Sequence, residues 1–362
     1  MAKNKEPIKV LTRDVSEEDA LKALELTRKA VTKTYGDVIH KLSDHSDMAI
    51  PTLSTGCLSL DLALGNGGFG FGRPYEIFGA ASSGKTTLCV SAIIQAQRRG
   101  FRACYIDAEN AVDPNLFRLY GVDAEKMDLV QAYDGEGCLD ILEKLVKTGA
   151  FKVAVIDSIA ALLPRQEAEA EMQEQQMGLQ ARLIGKAMRK IIPVANQTGT
   201  ILLFINQMRT NLGGYGNPMK TAGGEATPYY MSARISVKGP EAVARRLKEE
   251  HTGAIIGHKT EFEIAKNKLS VPFRTANINL YYGVGYDTYS ELISMATDVG
   301  VIDKMGAWYK YNGESFAQGE VKAIEFLKAP ENIEIYKTIK EEVIERSGLK
   351  EIYEKHSNPG AL

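Results

Sequence analysis

Two apolar runs near the middle of the chain, Val153-Ala154-Val155-Ile156 and Ile201-Leu202-Leu203-Phe204-Ile205, are unbroken by polar residues. That is the pattern of strands buried on both faces of a parallel sheet. Similar runs predict strands over Tyr75–Phe78, Ala103–Asp107, Lys152–Asp157, Ile201–Asn206 and Ala233–Lys238, with helical stretches between most of them. Strand–helix alternation on this scale predicts an α/β fold, a mostly parallel twisted sheet with helices on both faces. Glu261–Ala265 and Ala276–Tyr282 are expected to add antiparallel strands at one edge. Ahead of the core, Ser16–Tyr35 reads as one amphipathic helix, with Ser16 as N-cap, acids at 17–19, and Ala20, Leu21, Leu24, Ala30 and Val31 near helical spacing. Gly36 would end it. A lone helix cannot bury such a stripe unaided, so it must pack on its own core or on a neighbouring subunit. Ser43–Met48 is polar and reads as a linker. After Gly285 the pattern changes to short helices, a strand at Trp308–Tyr311 with Asn312-Gly313 as a turn signal, and a helical tail to about Tyr353. The expected organisation is therefore residues 1–48 as helix and linker, 49–285 as the α/β core, and 286–362 as a small α/β C-terminal domain.

Composition narrows the class. The chain has 362 residues, 44% hydrophobic and 25% charged, which excludes collagen-like, coiled-coil and wholly disordered chains. No stretch reaches about 18 apolar residues, so no membrane span is expected. The first thirty residues mix charges with small apolar groups, unlike a signal peptide. Cys57, Cys89, Cys104 and Cys138 show no CxxC spacing, and reduced thiols in a cytoplasm are the expectation. The thiols and five scattered histidines assemble no metal cluster. Net charge is only −2, but it is unevenly spread: Lys and Arg outnumber Asp and Glu by two over residues 165–227 and by four over 228–285. A basic middle in a neutral chain fits a groove for a polyanion, or equally a solvated basic face.

The sharpest motif is Gly79-Ala80-Ala81-Ser82-Ser83-Gly84-Lys85-Thr86, which fits GxxxxGK[ST] between an apolar strand and a helical run that continues through Thr87. Its glycines let successive N–H groups wrap phosphates at a helix N-terminus. Lys85 would reach the β- and γ-phosphates and Thr86 would bind Mg²⁺. This marks a nucleotide site. Gly65-Asn66-Gly67-Gly68-Phe69-Gly70 fits GxGxxG but precedes a strand rather than following one, so it is read as a flexible loop. Asp157 ends a buried strand and is placed to hold the metal or its water, or else to cap the next element. Glu109, after Tyr105-Ile106-Asp107-Ala108, offers a general base. Gln207, after Phe204-Ile205-Asn206, offers an uncharged donor to a γ-phosphate. All lie at C-terminal strand ends, where open α/β sheets bind ligands. Two further segments fit a second ligand. Arg165–Gln176 is polar and leads through Met177-Gly178 into a helix bearing Arg182, Lys186, Arg189 and Lys190. Met208–Gly224 is a loop of about seventeen residues with five glycines, Arg209, Lys220, Leu212 and Tyr215. Its composition fits single-stranded nucleic acid, and equally a lid over the nucleotide.

These stretches resemble the RecA family of recombinases over nearly the whole chain. The resemblance runs through Leu53-Ser54-Thr55-Gly56, the phosphate loop, Ile106-Asp107-Ala108-Glu109, Val155-Ile156-Asp157-Ser158, Met177-Gly178-Leu179, Phe204-Ile205-Asn206-Gln207, Gly216-Asn217-Pro218, Lys266-Asn267-Lys268 and Gly306-Ala307-Trp308-Tyr309. It implies a homo-oligomeric helical filament on single-stranded DNA that pairs it with homologous double-stranded DNA, with ATP and Mg²⁺ between adjacent subunits. Glu109 then corresponds to the residue that activates water, Gln207 to the switch between γ-phosphate and the second DNA loop, and Lys266 and Lys268 to lysines reaching a neighbour's ATP. Asp113 and Tyr282 match base-contacting positions. Met177, Gly178, Arg182 and Arg189 match contact positions around the first DNA loop, and Arg209, Leu212, Gly223 and Gly224 belong to the second. The N-terminal helix matches an element that packs on the adjacent subunit. The chain departs from the family at Ala80 and Ala81 (usually Pro-Glu), Asn110 (often His), Leu116 (usually a Tyr that stacks on adenine) and Pro228 (Lys), and in placing Glu225 among residues expected close to phosphates. Its tail, Glu351–Leu362, is expected to lack the long acidic extension found in many bacterial members. A metabolite kinase on the same phosphate loop leaves Met208–Gly224 and the N-terminal helix unexplained. A ring helicase is disfavoured by the C-terminal region, and a non-catalytic filament by Lys85, Asp157 and Glu109.

Overall fold

The apolar runs become strands of one large sheet. In chain order these are β1 (Pro74–Gly79), β2 (Arg102–Asp107), β3 (Met127–Val130), β4 (Phe151–Asp157), β5 (Ile201–Thr210), β6 (Ala233–Lys238), β7 (Ile255–Asn267), β8 (Thr275–Tyr281) and β9 (Gly285–Tyr286). The structure is a computed structural model and describes residues 15–39, 41, 49–169, 178–210, 219–224, 226–249 and 251–356. The strand order is β9-β8-β7-β6-β1-β5-β4-β2-β3, with Arg246–Lys248 added on β7 and Met219–Thr221 on β5. From β6 to β3 every neighbouring pair is parallel, and from β6 to β9 every pair is antiparallel. β1 lies between β5 and β6, so the chain leaves it toward one side and returns on the other. That arrangement opens a crevice at the C-terminal strand ends.

Side-chain alternation along the central strands divides the core in two. Tyr75, Ile77, Tyr105, Val153, Val155, Leu203 and Ile205 pack against the helix Lys85–Arg98 through Leu88 and Ile93. Cys104, Ile106, Ala154, Ile156, Leu202 and Phe204 face the opposite way, onto the helices Gly135–Lys147 and Leu179–Thr198. The sheet departs from the sequence expectation mainly at its margins. β3 carries Asp128 and lies at an edge, so it lacks the apolar run by which a buried strand is recognised. β5 runs on to Thr210 and pairs antiparallel with Met219–Thr221, so the ends of the expected loop Met208–Gly224 form a ribbon. The GxGxxG stretch is packed rather than flexible: Gly65 caps the helix Leu58–Leu64, Phe69–Gly70 pairs with Thr52–Leu53, and Phe69 is fully buried. A Cβ at Gly68, whose φ is +135°, would sit 2.1 Å from the Leu53 carbonyl oxygen, so only glycine fits.

A third cluster joins Leu292, Ile293, Tyr309, Leu327 and Val343, with Leu58 and Leu62 against it. Its sheet is Ile302–Met305, Trp308–Tyr311 and Glu314–Gln318. Asn312 and Gly313, both at positive φ, make the expected tight turn. Two buried carboxylates fasten this region to the core. Glu291 accepts from the Leu58 and Ser59 N–H groups at 3.1 and 2.9 Å and so caps a helix whose N-cap residue, Cys57, makes no side-chain bond. Asp61 accepts from Thr55 N–H and from the Tyr353 hydroxyl, each at 2.8 Å. Burial pushes the Glu291 carboxyl up to about 7 and that of Asp61 up to about 6, against the hydrogen bonds each accepts.

The N-terminal unit contains one described helix, Glu17–Tyr35, as expected. The Ser16 side chain accepts from Asp19 N–H at 3.2 Å, and Gly36 closes the helix at φ +81°. None of its residues is buried, and Leu21, Leu24 and Leu26 are exposed. Among the described residues no helix is long and apolar enough to cross a membrane.

Candidate functional site

The sequence Gly79–Thr86 turns sharply from β1 into the helix Lys85–Arg98. Ser82 and Gly84 take positive φ, which aims successive N–H groups inward at the helix N-terminus. Lys85 is buried and its amine donates to the carbonyl oxygens of Gly79, at 3.2 Å, and Ala80. Desolvation lowers its pKa, opposed by the charges of Asp157, Glu109 and Glu241. The loop borders a cleft of about 490 Å³ lined by Gly79, Ala80, Ala81, Ser82, Lys85, Thr86, Glu109, Asp113, Leu116, Asp157 and Gln207, among others. Of the twelve expected nucleotide-binding residues eight line this cleft, and Ser83, Gly84, Thr87 and Tyr282 do not. Ser83 is buried and its hydroxyl has no partner. Thr87 faces a separate cavity on the other side of its helix. Tyr282 also lies outside the cleft lining, with its hydroxyl 3.2 Å from His258 Nδ1, while His258 Nε2 is 3.3 Å from the Ser83 carbonyl oxygen.

Thr86 Oγ1 donates to Asp157 Oδ2 at 3.1 Å, and Tyr105 donates to the same oxygen at 2.5 Å. Burial pushes the Asp157 carboxyl up, against both hydrogen bonds. A hydroxyl and a carboxylate are hard oxygen donors of the kind Mg²⁺ takes alongside phosphate. Among the described residues no group of three or more His, Cys, Asp or Glu is arranged for a metal, so a protein-only cage is not present there. Tyr105 is a residue the sequence reading missed. Its only signal was a phenol in an otherwise apolar strand, two positions before Asp107.

Glu109 stands on a loop braced by Asp107, which accepts from Ala111 and Val112 N–H at 3.2 and 3.1 Å and from the Gln131 amide at 3.0 Å. Asn110 beside it has φ +52°, a conformation asparagine tolerates better than most residues. Glu109 Oε1 accepts from the Ser158 hydroxyl and, at 2.8 Å, from the Gln207 amide. The proposed base and the proposed phosphate reporter thus touch across the ends of β2 and β5. Asp113 caps the short helix Pro114–Leu119, accepting from Asn115 N–H at 2.8 Å, and that helix presents Leu116 to the cleft.

Lys266 and Lys268 do not line the cleft. Their amines donate to backbone carbonyls at Pro228 and Tyr229, with Lys268 at 2.7 Å from the Tyr229 oxygen. Of the expected DNA contacts, Gly178 caps the helix Leu179–Thr198, and Arg182 and Arg189 project from that helix exposed. Lys190 is instead ion-paired with Glu143. A Cβ on Gly224 would come 2.6 Å from Ala181 Cβ, so the exit of the second loop lies against the helix that follows the first. Met177 and Leu212 lie outside the described residues, as do Tyr215, Glu225 and the side chain of Arg209.

A phosphate loop on a mostly parallel sheet, with an acid, an aspartate and a glutamine at neighbouring strand ends, defines an α/β nucleotide-binding protein of the P-loop class. The comparisons with known proteins narrow this. Residues 22–287 match the model of the RecA N-terminal domain and residues 290–348 that of the RecA C-terminal domain. The chain is 43% identical to Protein RecA of Phytoplasma mali (strain AT) over 325 residues, covering 89% of this chain and 94% of that protein. It is 43% identical to Protein RecA of Listeria monocytogenes serotype 4a (strain HCC23) over 328 residues, covering 90% and 92%. Identity to Protein RecA of Desulforapulum autotrophicum is 41% over 338 residues, covering 93% and 94%. The chain belongs to the RecA family and is a RecA-type recombinase.

Proposed function

We propose that this protein is a DNA-dependent ATPase that coats single-stranded DNA as a helical filament and drives pairing and strand exchange with homologous double-stranded DNA in the cytoplasm. The observation that carries the reading is the Gln207–Glu109 hydrogen bond at the cleft, because Gln207 lies on β5, the strand that continues into the second loop. In this reading Lys85 and the loop amides hold the β- and γ-phosphates, and Glu109 takes a proton from the attacking water. Bound Mg²⁺, held by Thr86 and Asp157, would neutralise phosphate charge. Gln207 leaves Glu109 for the γ-phosphate, freeing a lone pair on the base and shifting β5 and the loop beyond it. Lys266 and Lys268 act on a neighbouring subunit's ATP, so hydrolysis depends on assembly. Residues 1–48 serve subunit packing, 49–285 the ATPase and DNA loops, and 286–362 form a smaller appended domain. ATP thereby favours the DNA-gripping state and its hydrolysis weakens it.

Electron microscopy tests this. The protein, a non-hydrolysable ATP analogue, Mg²⁺ and a long single strand should give continuous helical filaments, and ADP should give few. Isolated particles under both conditions would reject the reading.

A further inference from the structure

Glu76 lies in the middle of β1 with no solvent exposure, on a strand whose other members are apolar or glycine. A carboxylate so placed is tolerated only when paired and hydrogen-bonded. It has two partners, one from each neighbouring strand. Arg234, its registered neighbour on β6, donates Nε to Glu76 Oε2, and Asn206 on β5 donates Nδ2 to Oε1 at 2.8 Å. Each partner also reaches the exit of the second loop. Arg234 Nη2 donates to Thr221 Oγ1 at 3.2 Å, and Asn206 Nδ2 donates to the Ala222 carbonyl oxygen at 2.9 Å. Asn206 Oδ1 accepts the backbone N–H of Gln207 at 2.9 Å. None of the three lines the nucleotide cleft.

We propose that Glu76, Arg234 and Asn206 form the buried link by which the nucleotide state at Gln207 sets the conformation of residues 219–224. This rests on the function proposed above. Asn206 has both its donor and its acceptor engaged, and a shift of the 206–207 peptide that broke these bonds would strand buried polar groups. The peptide therefore moves with Ala222 rather than past it. The guanidinium of Arg234, stacked 4.7 Å from the Phe78 ring centroid, supplies the second tie through Thr221. These are positioning residues that act through Gln207 and the loop.

The test is coupling, measured in both directions. Single-strand affinity is determined with a non-hydrolysable ATP analogue and without nucleotide, and the analogue's affinity with and without DNA, for the wild-type chain, Glu76→Gln and Arg234→Lys. Lysine keeps a cation for Glu76, but its single nitrogen cannot also hold Thr221. In Glu76→Gln the affinity ratio between the two nucleotide states should fall about tenfold, and the effect of DNA on nucleotide affinity should fall by the same factor. Nucleotide affinity without DNA should be unchanged. Arg234→Lys should show a smaller loss in the same direction, and it decides the matter if Glu76→Gln does not fold. Wild-type ratios in Arg234→Lys, or affinities that drop with the ratio intact, would overturn this inference alone. A wild-type chain whose DNA affinity ignores the nucleotide would overturn the functional reading and this inference with it.

Discussion

Gln207 donates its side-chain amide to Glu109 at 2.8 Å, and Ser158 donates to the same carboxylate oxygen. Both donors therefore occupy the oxygen that would otherwise be open to an attacking water. Turning Gln207 toward a phosphate removes one of those bonds. In the proposed function, this one contact would join phosphate sensing to chemistry.

Glu109→Gln keeps the shape and removes the base. Hydrolysis should fall by about 10²–10⁴-fold, while ATP-dependent binding to a single strand persists. Parallel measurements of phosphate release and fluorescence anisotropy check this, and loss of both together would reject the base assignment.

Lys85→Ala removes the cation held at the phosphate loop. Turnover should drop by at least about a hundredfold, with thermal stability little changed because the loop glycines keep their turn. Unaltered turnover would place the phosphates elsewhere.

Leu116 faces the cleft from the helix capped by Asp113. A ring at this position would stack on the base, so Leu116→Tyr should tighten ATP binding about fivefold, equivalent to ~1 kcal/mol of stacking. Calorimetry of ATP binding measures it, and equal affinities would show that the base does not lie over this helix.

Glu291 gives a stability prediction with a definite sign. Its carboxyl titrates near 4.5 when unperturbed and near 7 in the fold. Between those values the folded state holds a proton that the unfolded chain has released, so stability falls as pH rises from about 4.5 to about 7. Asp61 adds a fall of the same sign, ending near pH 6. Glu291→Gln keeps one acceptor oxygen, for the Leu58 N–H or the Ser59 groups but not both, and carries no charge. Its stability relative to the wild type should rise by on the order of 2–3 kcal/mol between pH 4.5 and pH 8. Thermal melts across this range check it, and parallel profiles for the two proteins would refute it.

Arg182 and Arg189 project exposed from the helix that follows the first loop. If each neutralises one phosphate of a single strand, alanine at either should flatten the plot of log affinity against log salt by about 0.7. A salt dependence unchanged in both variants would remove this helix from the DNA surface.

What the sequence revealed follows from which signals are local. The phosphate loop, Glu109, Asp157 and Gln207 were legible because each sits at the end of a recognisable apolar strand, and the fold brings them to one cleft. The strand β3 was not, since an edge strand containing Asp128 has no buried run. The packing of Gly65–Gly70 was missed because its close contact with Leu53 involves residues distant in sequence, which glycine content alone does not reveal. Tyr105 and Glu76 act through partners 52 to 158 residues away, and no spacing rule announces those.

The most direct test is steady-state ATP hydrolysis by the wild-type chain with and without single-stranded DNA. A rate that rises severalfold or more on adding DNA, and that is lost in Lys85→Ala, is the predicted result. A rate indifferent to DNA at low salt would contradict the account.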